Sequence, residues 1–289
     1  MDEKFWHKSY APGVQKTLNY EKITISEALT RDAKNFPEHT ALNYMGKRIT
    51  YRALDGLVNQ FARALQNLDV KPGDKIAVCL PNIPQVVIAN LAIFRIGAVC
   101  VQNNPLYTER ELTYQLNDSD AKHVITLTLL IPRMQKIKSR TQIEKIIGCH
   151  INTYLPFPKK QLFPLVKKDM YRKDIPQKDI YPFMDLMKTY PATPVENRAK
   201  WEATAALLYT GGTTKFPKGV PFTHNLFLVS AREQIIISES LFPPEKNVIL
   251  GNAPLFHILG QTCGLATLLV GGTLILQPKI NLDAALDAV

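Results

Sequence analysis

At 289 residues with 46% apolar side chains, the chain can bury a sizeable core and reads as globular, with length for one large or two smaller domains. A formal net charge of +10 points to an acidic partner, whether nucleotide, nucleic acid or an anionic membrane surface. Residues 133–178 carry nine of those ten net charges, with twelve Lys and Arg against Glu144, Asp169 and Asp174. Cys79, Cys100, Cys149 and Cys263 lack paired zinc-type spacing, and three lie in apolar runs. Reduced core thiols in a cytosolic protein are the expectation. The opening Met-Asp-Glu-Lys-Phe-Trp-His is too charged for a secretory signal.

In chain order, residues 1–40 are expected to be a lead-in with aromatic anchors and a short amphipathic helix over 26–36, started by Ser26. Residues 47–49 read as a brief strand. Leu54, Leu57, Val58, Phe61 and Leu65 then recur at helical spacing behind Thr50 as N-cap. Pro72-Gly73-Asp74 makes a turn, 76–80 a strand, 84–96 a helix ending at Gly97, and 98–101 another strand. Thr108 and Glu111 have capping-box spacing, opening a helix with Leu112 and Leu116 inward, and 123–127 returns as a strand. This alternation predicts an α/β fold, layered, with largely parallel sheets and helices.

The basic region 133–178 interleaves Leu155, Phe157, Leu162, Phe163, Leu165 and Val166 with prolines and with Lys159, Lys160, Lys167 and Lys168. Two readings stand: a solvated basic insert packing a few aromatics, or a peripheral membrane contact, where each basic residue contributes about 1 kcal/mol at an anionic bilayer. Nucleic acid is not expected as a partner, because no recognised binding motif is present.

Residues 203–209 form an apolar run of buried-strand length, and Thr210-Gly-Gly-Thr-Thr-Lys215 follows, with Lys218 close behind. Gly211 and Gly212 can turn successive N–H groups into one concavity, Thr210, Thr213 and Thr214 add hydroxyl donors, and the lysines add charge. These features suit an oligophosphate cradle. A mobile Gly/Thr surface loop is the alternative, since neither Gly-x-x-x-x-Gly-Lys-Ser/Thr nor Gly-x-Gly-x-x-Gly is matched. Beyond it, 226–237 reads as a helix. The uncharged stretch 248–278 raises a membrane span, but Asn252, Pro254, His257, Gln261 and five glycines interrupt it. Strand, loop, helix and strand is therefore the preferred reading. His257, in apolar surroundings, is either a buried structural histidine or a ligand-pocket wall.

Taken together, these segments resemble the adenylate-forming, AMP-binding acyl-CoA synthetases, most closely the bacterial long-chain fatty-acid–CoA ligases. The resemblance rests on Tyr209-Thr-Gly-Gly-Thr-Thr with Pro217-Lys-Gly-Val220, on Asn104-Pro-Leu-Tyr-Thr-Glu-Arg-Glu-Leu112 with Gln115-Leu-Asn-Asp118, on Lys71-Pro-Gly-Asp74 with Leu80-Pro-Asn82, and on Pro254-Leu-Phe-His-Ile258. It implies ATP-dependent activation of a fatty acid to acyl-AMP and then acyl-CoA, with ATP, Mg²⁺ and coenzyme A as cofactors or co-substrates. It implies further that Thr210, Gly211, Gly212, Thr213, Thr214 and Lys218 hold the β- and γ-phosphates and that His257 borders the acyl-adenylate pocket. A cytoplasmic protein is expected, peripheral on the inner face of the membrane if the basic region docks there.

Three departures qualify the resemblance. Lys215 stands where the family usually has glycine, which costs about 1–2 kcal/mol if that turn needs positive φ. The run Thr223-His-Asn-Leu226 is one residue shorter than usual, and the family's magnesium-binding glutamate, ribose-binding aspartate and catalytic-lysine domain lie beyond Val289. The expectation is an incomplete amino-terminal AMP-binding domain over 1–289, the carboxy-terminal domain absent, paired with a separate remainder or with itself as a homodimer. A non-catalytic membrane- or partner-binding fragment, and adenylation of a different carboxylic acid, are the alternatives.

Overall fold

The computed structural model describes residues 4–173, 177–211, 216–239 and 243–279. The chain enters through α1 (Ile25–Asn35), a hairpin of β1 (Thr40–Tyr44) and β2 (Lys47–Thr50), and α2 (Tyr51–Asn67). Next come β3 (Lys75–Cys79), α3 (Pro84–Arg95), β4 (Val99–Gln102), α4 (Glu109–Asp118), β5 (His123–Leu127), α5 (Ile131–Lys138) and β6 (Lys145–Cys149). They are followed by α6 (Lys159–Val166), β7 (Ile180–Pro182), α7 (Phe183–Thr189), β8 (Thr204–Tyr209), β9 (Gly219–Thr223) and α8 (His224–Glu239). The last described elements are β10 (Val248–Gly251), α9 (Ile258–Leu268) and β11 (Thr273–Leu276).

Two sheets result. The larger has the order β7-β6-β5-β3-β4-β8-β9 and is parallel throughout except for β9, which runs antiparallel to β8. The smaller has the order β10-β11-β1-β2, with only the β1–β2 hairpin antiparallel. The expected α/β architecture with largely parallel sheets is therefore present.

Side-chain alternation along the strands builds a core on each face of the larger sheet. Ile76 and Val78 face a core shared with α1, α2, α3 and the smaller sheet, while Ala77 and Cys79 face Leu112 and Leu116 of α4 and Met134 and Ile137 of α5. All twelve residues of α3 are buried, so it is a central layer element with no solvent face.

One buried cation joins the helices of that central layer. Arg95 donates to Ser26 Oγ at 2.9 Å and Thr30 Oγ1 at 3.2 Å on α1, and to Asn59 Oδ1 at 2.6 Å and Asp55 Oδ1 at 2.7 Å on α2. Gly97 follows at φ +73°, and a Cβ there would sit 2.7 Å from the Arg198 carbonyl oxygen, so both conformation and space demand glycine.

Several expectations are corrected. Thr24, not Ser26, caps α1, because Thr24 and Glu27 form a complete capping box while the Ser26 hydroxyl accepts from Arg95. Phe5, Trp6 and Tyr10 are exposed, so they do not anchor the lead-in. Residues 133–178 are divided by the fold: α5 and β6 belong to the larger sheet and its cover, whereas among the described residues the stretch around α6 projects to solvent.

The cysteines are free thiols, with Cys79, Cys100 and Cys149 buried in β3, β4 and β6. Burial pushes the Cys79 thiol up to about 12 and holds that of Cys100 well above its ordinary value. The uncharged stretch 248–278 forms β10, α9 and β11, and among the described residues no helix is long and apolar enough to cross a membrane.

Replacing Arg95 by leucine removes a donor from four buried or half-buried acceptors, of which, among the described residues, Asn59 Oδ1 alone keeps another, Val195 N–H. A loss of about 3–5 kcal/mol in urea unfolding is expected. A loss below about 1 kcal/mol would mean that water replaces the guanidinium at these positions.

Candidate functional site

The loops at the carboxyl ends of β3, β4 and β8 lie side by side, because these three strands are parallel neighbours. From β3 comes Leu80-Pro-Asn82, from β4 Asn103 and Asn104, and from β8 Thr210 and Gly211.

The β8–β9 hairpin is closed at its base. Thr210 N–H donates to the Lys218 carbonyl at 3.0 Å, and Lys218 N–H donates to Thr210 Oγ1 at 3.1 Å. Thr210, Gly211 and Lys218 are exposed, and among the described residues nothing lies within 4 Å of the Cβ position at Gly211, so this end of the loop has room for a ligand. Gly212, Thr213 and Thr214, together with Lys215, lie outside the described residues.

Helix α4 braces the hairpin. Tyr209 donates its hydroxyl to Asp118 Oδ2 at 2.8 Å and to the Gln115 carbonyl at 3.2 Å. Tyr114 donates to the Pro217 carbonyl at 3.0 Å and stacks on Phe216 with centroids 4.6 Å apart. Burial, then the hydrogen bond to the Asp118 carboxylate, raise the Tyr209 phenol well above its ordinary value, so it stays a donor. Nothing in the spacing of the motifs Asn104–Leu112 and Gln115–Asp118 shows that they carry the hairpin, because the brace joins segments distant in sequence.

A second junction joins the two sheets. Asn82 donates to the Gly251 and Ala253 carbonyls at 2.8 and 2.9 Å and accepts from Leu255 N–H at 2.8 Å. One side-chain amide thereby fixes the loop that leads into α9. Gly260 completes that turn, since a Cβ there would collide with the Pro254 carbonyl and lie 2.6 Å from that of Ala253.

His257 lies in this loop and is exposed, which overturns its reading as a buried structural histidine. It stands as N-cap of α9, Nδ1 accepting from Leu259 N–H at 3.4 Å, because capping needs an acceptor outside the helix. It makes no hydrogen bond or ring contact with Thr210, Gly211 or Lys218 among the described residues.

The buried histidine of the region is His224, at the start of α8. Its backbone N–H donates to Ala203 O at 3.1 Å, Asn225 N–H donates to Trp201 O at 3.0 Å, and its ring meets Phe94 edge-on at 5.7 Å. Both ring nitrogens are buried without a hydrogen-bond partner among the described residues, and burial lowers its pKa to about 4, with Glu27 acting weakly the other way. Among the described residues no group of three or more His, Cys, Asp and Glu could hold a metal ion. A Mg²⁺ carried on substrate phosphates needs only one or two protein carboxylates, so it does not require such a cluster.

Fold and loop together define an α/β domain that raises an open, glycine-containing hairpin from the carboxyl end of a parallel sheet. The family model described as "AMP-binding enzyme" matches residues 29–289, and the chain belongs to that family. It is 34% identical to a long-chain-fatty-acid–CoA ligase of Bacillus subtilis, over 96% of this chain and 50% of the relative. It is 30% identical to an oxalate–CoA ligase of Arabidopsis thaliana, over 88% and 45%. The crystal structure of a long-chain-fatty-acid–CoA ligase from Archaeoglobus fulgidus shares the fold, with a TM-score of 0.77 and 21% identity over 94% of this chain and 50% of that one. The chain spans about half the length of the curated relatives it matches.

Two measurements check this geometry. Tyr209→Phe removes both hydroxyl hydrogen bonds at the foot of the hairpin, and amide exchange at Thr210 and Lys218 is expected to quicken on the order of tenfold, for about 1 kcal/mol of lost closure. Unchanged exchange would show that Tyr114 alone suffices. His224 has its folded pKa below its unfolded value, so the stability it contributes is present above pH ~6.5 and is lost as pH falls through ~4, up to about 3 kcal/mol. The fall in urea midpoint between pH 7 and pH 4 is expected to shrink in His224→Leu. Asp32, whose carboxyl is raised by burial to about 6, has the opposite sign and cancels in that comparison.

Proposed function

We propose that the chain supplies the phosphate-gripping part of an ATP-dependent ligase that joins a long-chain fatty acid to coenzyme A through an acyl-adenylate. The open β8–β9 hairpin, closed by the reciprocal Thr210–Lys218 hydrogen bonds and braced by α4, carries the reading. Thr210, Gly211 and Lys218, with Gly212, Thr213 and Thr214, would hold the β- and γ-phosphates of ATP. Attack of a carboxylate on the α-phosphate places charge on the departing pyrophosphate. Donors fixed before the reaction stabilise that charge with little reorganisation. Mg²⁺, when bound with the phosphates, adds further neutralisation of the same charge. Tyr209 and Tyr114 act one step back, holding the hairpin stem against α4 so that Lys218 stays beside Thr210. His257, exposed at the start of α9, would orient the acyl-adenylate as a pocket wall, and among the described residues no carboxylate pairs with it to make it a general base.

The fatty-acid part of the reading rests on the likeness to the Bacillus ligase and on the Gly211-Gly212 form of the loop; the Arabidopsis oxalate–CoA ligase, 30% identical, keeps a small acid as the competing substrate. The test is ATP–pyrophosphate exchange with palmitate, oxalate or anthranilate, using 1–289 alone and 1–289 joined to the remaining half of the Bacillus relative. The joined protein is expected to exchange with palmitate, to lose at least about tenfold on Lys218→Ala, and to outpace 1–289 alone. Preference for oxalate would overturn the substrate, and indifference to Lys218→Ala would overturn the phosphate grip.

A further inference from the structure

The strongest feature that the ligase reading leaves unused is the segment around α6. Lys159, Lys160, Lys167, Lys168, Arg172 and Lys173 are all exposed there, with Asp169 the one acidic residue between Lys159 and Lys173, and none of the six forms an ion pair among the described residues. Among them stand side chains that water does not favour: Phe157 is 82% exposed, Leu165 68% and Val166 70%, with Leu162 and Met170 about half as open as Phe157. Isolated exposed leucines need no explanation, but five large apolar side chains within fourteen residues of one basic segment make a patch.

The patch is held in place. On its inner side Phe163 packs against the main core, and Asn152 Nδ2 donates to the Lys160 carbonyl at 3.0 Å. Upstream, the Tyr44 hydroxyl donates to the Ile151 carbonyl at 2.8 Å, and downstream Tyr171 stacks on His150 with centroids 5.1 Å apart. Both ends of the segment are thus tied to the domain, and the apolar side chains project from a fixed base.

We infer that α6 and its flanks form a peripheral docking site for an anionic lipid bilayer. Phe157, Leu165 and Val166 enter the interface, and the lysines lie at headgroup level with their methylene stems along the acyl boundary. The charge pattern favours this occupant. A protein partner with an apolar groove would gain nothing from six cations around its rim unless it were acidic, and a nucleic acid would use the cations and leave the leucine, valine and phenylalanine in water. A bilayer offers negative charge at the surface and hydrocarbon directly beneath it. The inference does not depend on which acid the ligase activates.

The test is cosedimentation of the 289-residue chain with vesicles of phosphatidylcholine alone and of equimolar phosphatidylcholine and phosphatidylglycerol, beside binding to duplex DNA. Two variants are scored separately: Leu165→Asp with Val166→Asp, and Lys159→Glu, Lys160→Glu, Lys167→Glu and Lys168→Glu together. Binding to the anionic vesicles is expected, weaker in added salt, absent on the neutral ones, and reduced on the order of tenfold or more by either variant. All six sites are exposed, so the melting transition followed by circular dichroism should be unchanged; if one variant misfolds, the other carries the test. Absence of binding to anionic vesicles, equal binding to neutral ones, or full retention by the Leu165/Val166 variant would each overturn the inference. DNA binding that survives the aspartates and fails with the glutamates, without vesicle binding, would assign the surface to nucleic acid instead.

Discussion

The arrangement of the central layer depends on the Arg95 guanidinium. A buried cation is costly unless nearly every donor is used, and here donors on Nε, Nη1 and Nη2 reach two hydroxyls, an amide oxygen and a carboxylate on two other helices. Burial of all of α3 is possible because its one charge is answered inside the layer. Asn59, while accepting from Arg95, also accepts from Val195 N–H at 3.1 Å, and the Arg95 carbonyl accepts from Arg198 N–H at 2.8 Å. The strap that leads into β8 is thereby tied to the same point.

That tie runs on to the candidate site. Gly97 lets the chain turn from α3 into β4 beneath Arg198, β4 pairs with β8, and β8 delivers Thr210 and Gly211. The hairpin at the end of this path departs from the parallel rule of its sheet. An antiparallel β9 returns the chain at once to the level of β8, so Thr210 and Lys218 face each other across a short gap. A parallel crossover would have carried Lys218 far from Thr210. The lead-in to α9 is set by different means, a single asparagine from β3 bonding three backbone groups, so the two loops are registered to each other through the ends of neighbouring strands.

Much of the fold was legible because it follows from local chemistry. The capping box at Thr108 and Glu111, the cap at Thr50 and the inward pair Leu112 and Leu116 are all present. Local rules failed where two candidates competed. Thr24 and Ser26 both offer a hydroxyl near the start of α1, and the choice was made by Arg95, distant in sequence. His257 and His224 show the same limit: the neighbours of His257 are apolar along the chain yet its ring faces solvent, whereas His224, beside polar Thr223 and Asn225, is fully enclosed by Phe94 and the strap before β8. For the site, the residue types of the loop were readable, but the tyrosine brace from α4 was not, since it joins residues about ninety positions apart.

The three buried thiols acquire a different significance from their placement. Cys79 and Cys100 lie on adjacent strands of the larger sheet yet belong to opposite cores, and both are held far from thiolate formation at neutral pH. The thiolate is the form that attacks an alkylating reagent, so neither cysteine reacts while its layer stays shut. The labelling rate of each is therefore a clock for the opening of its own face: Cys79 times the separation of α4 and α5, and Cys100 times the loosening of the central helical layer.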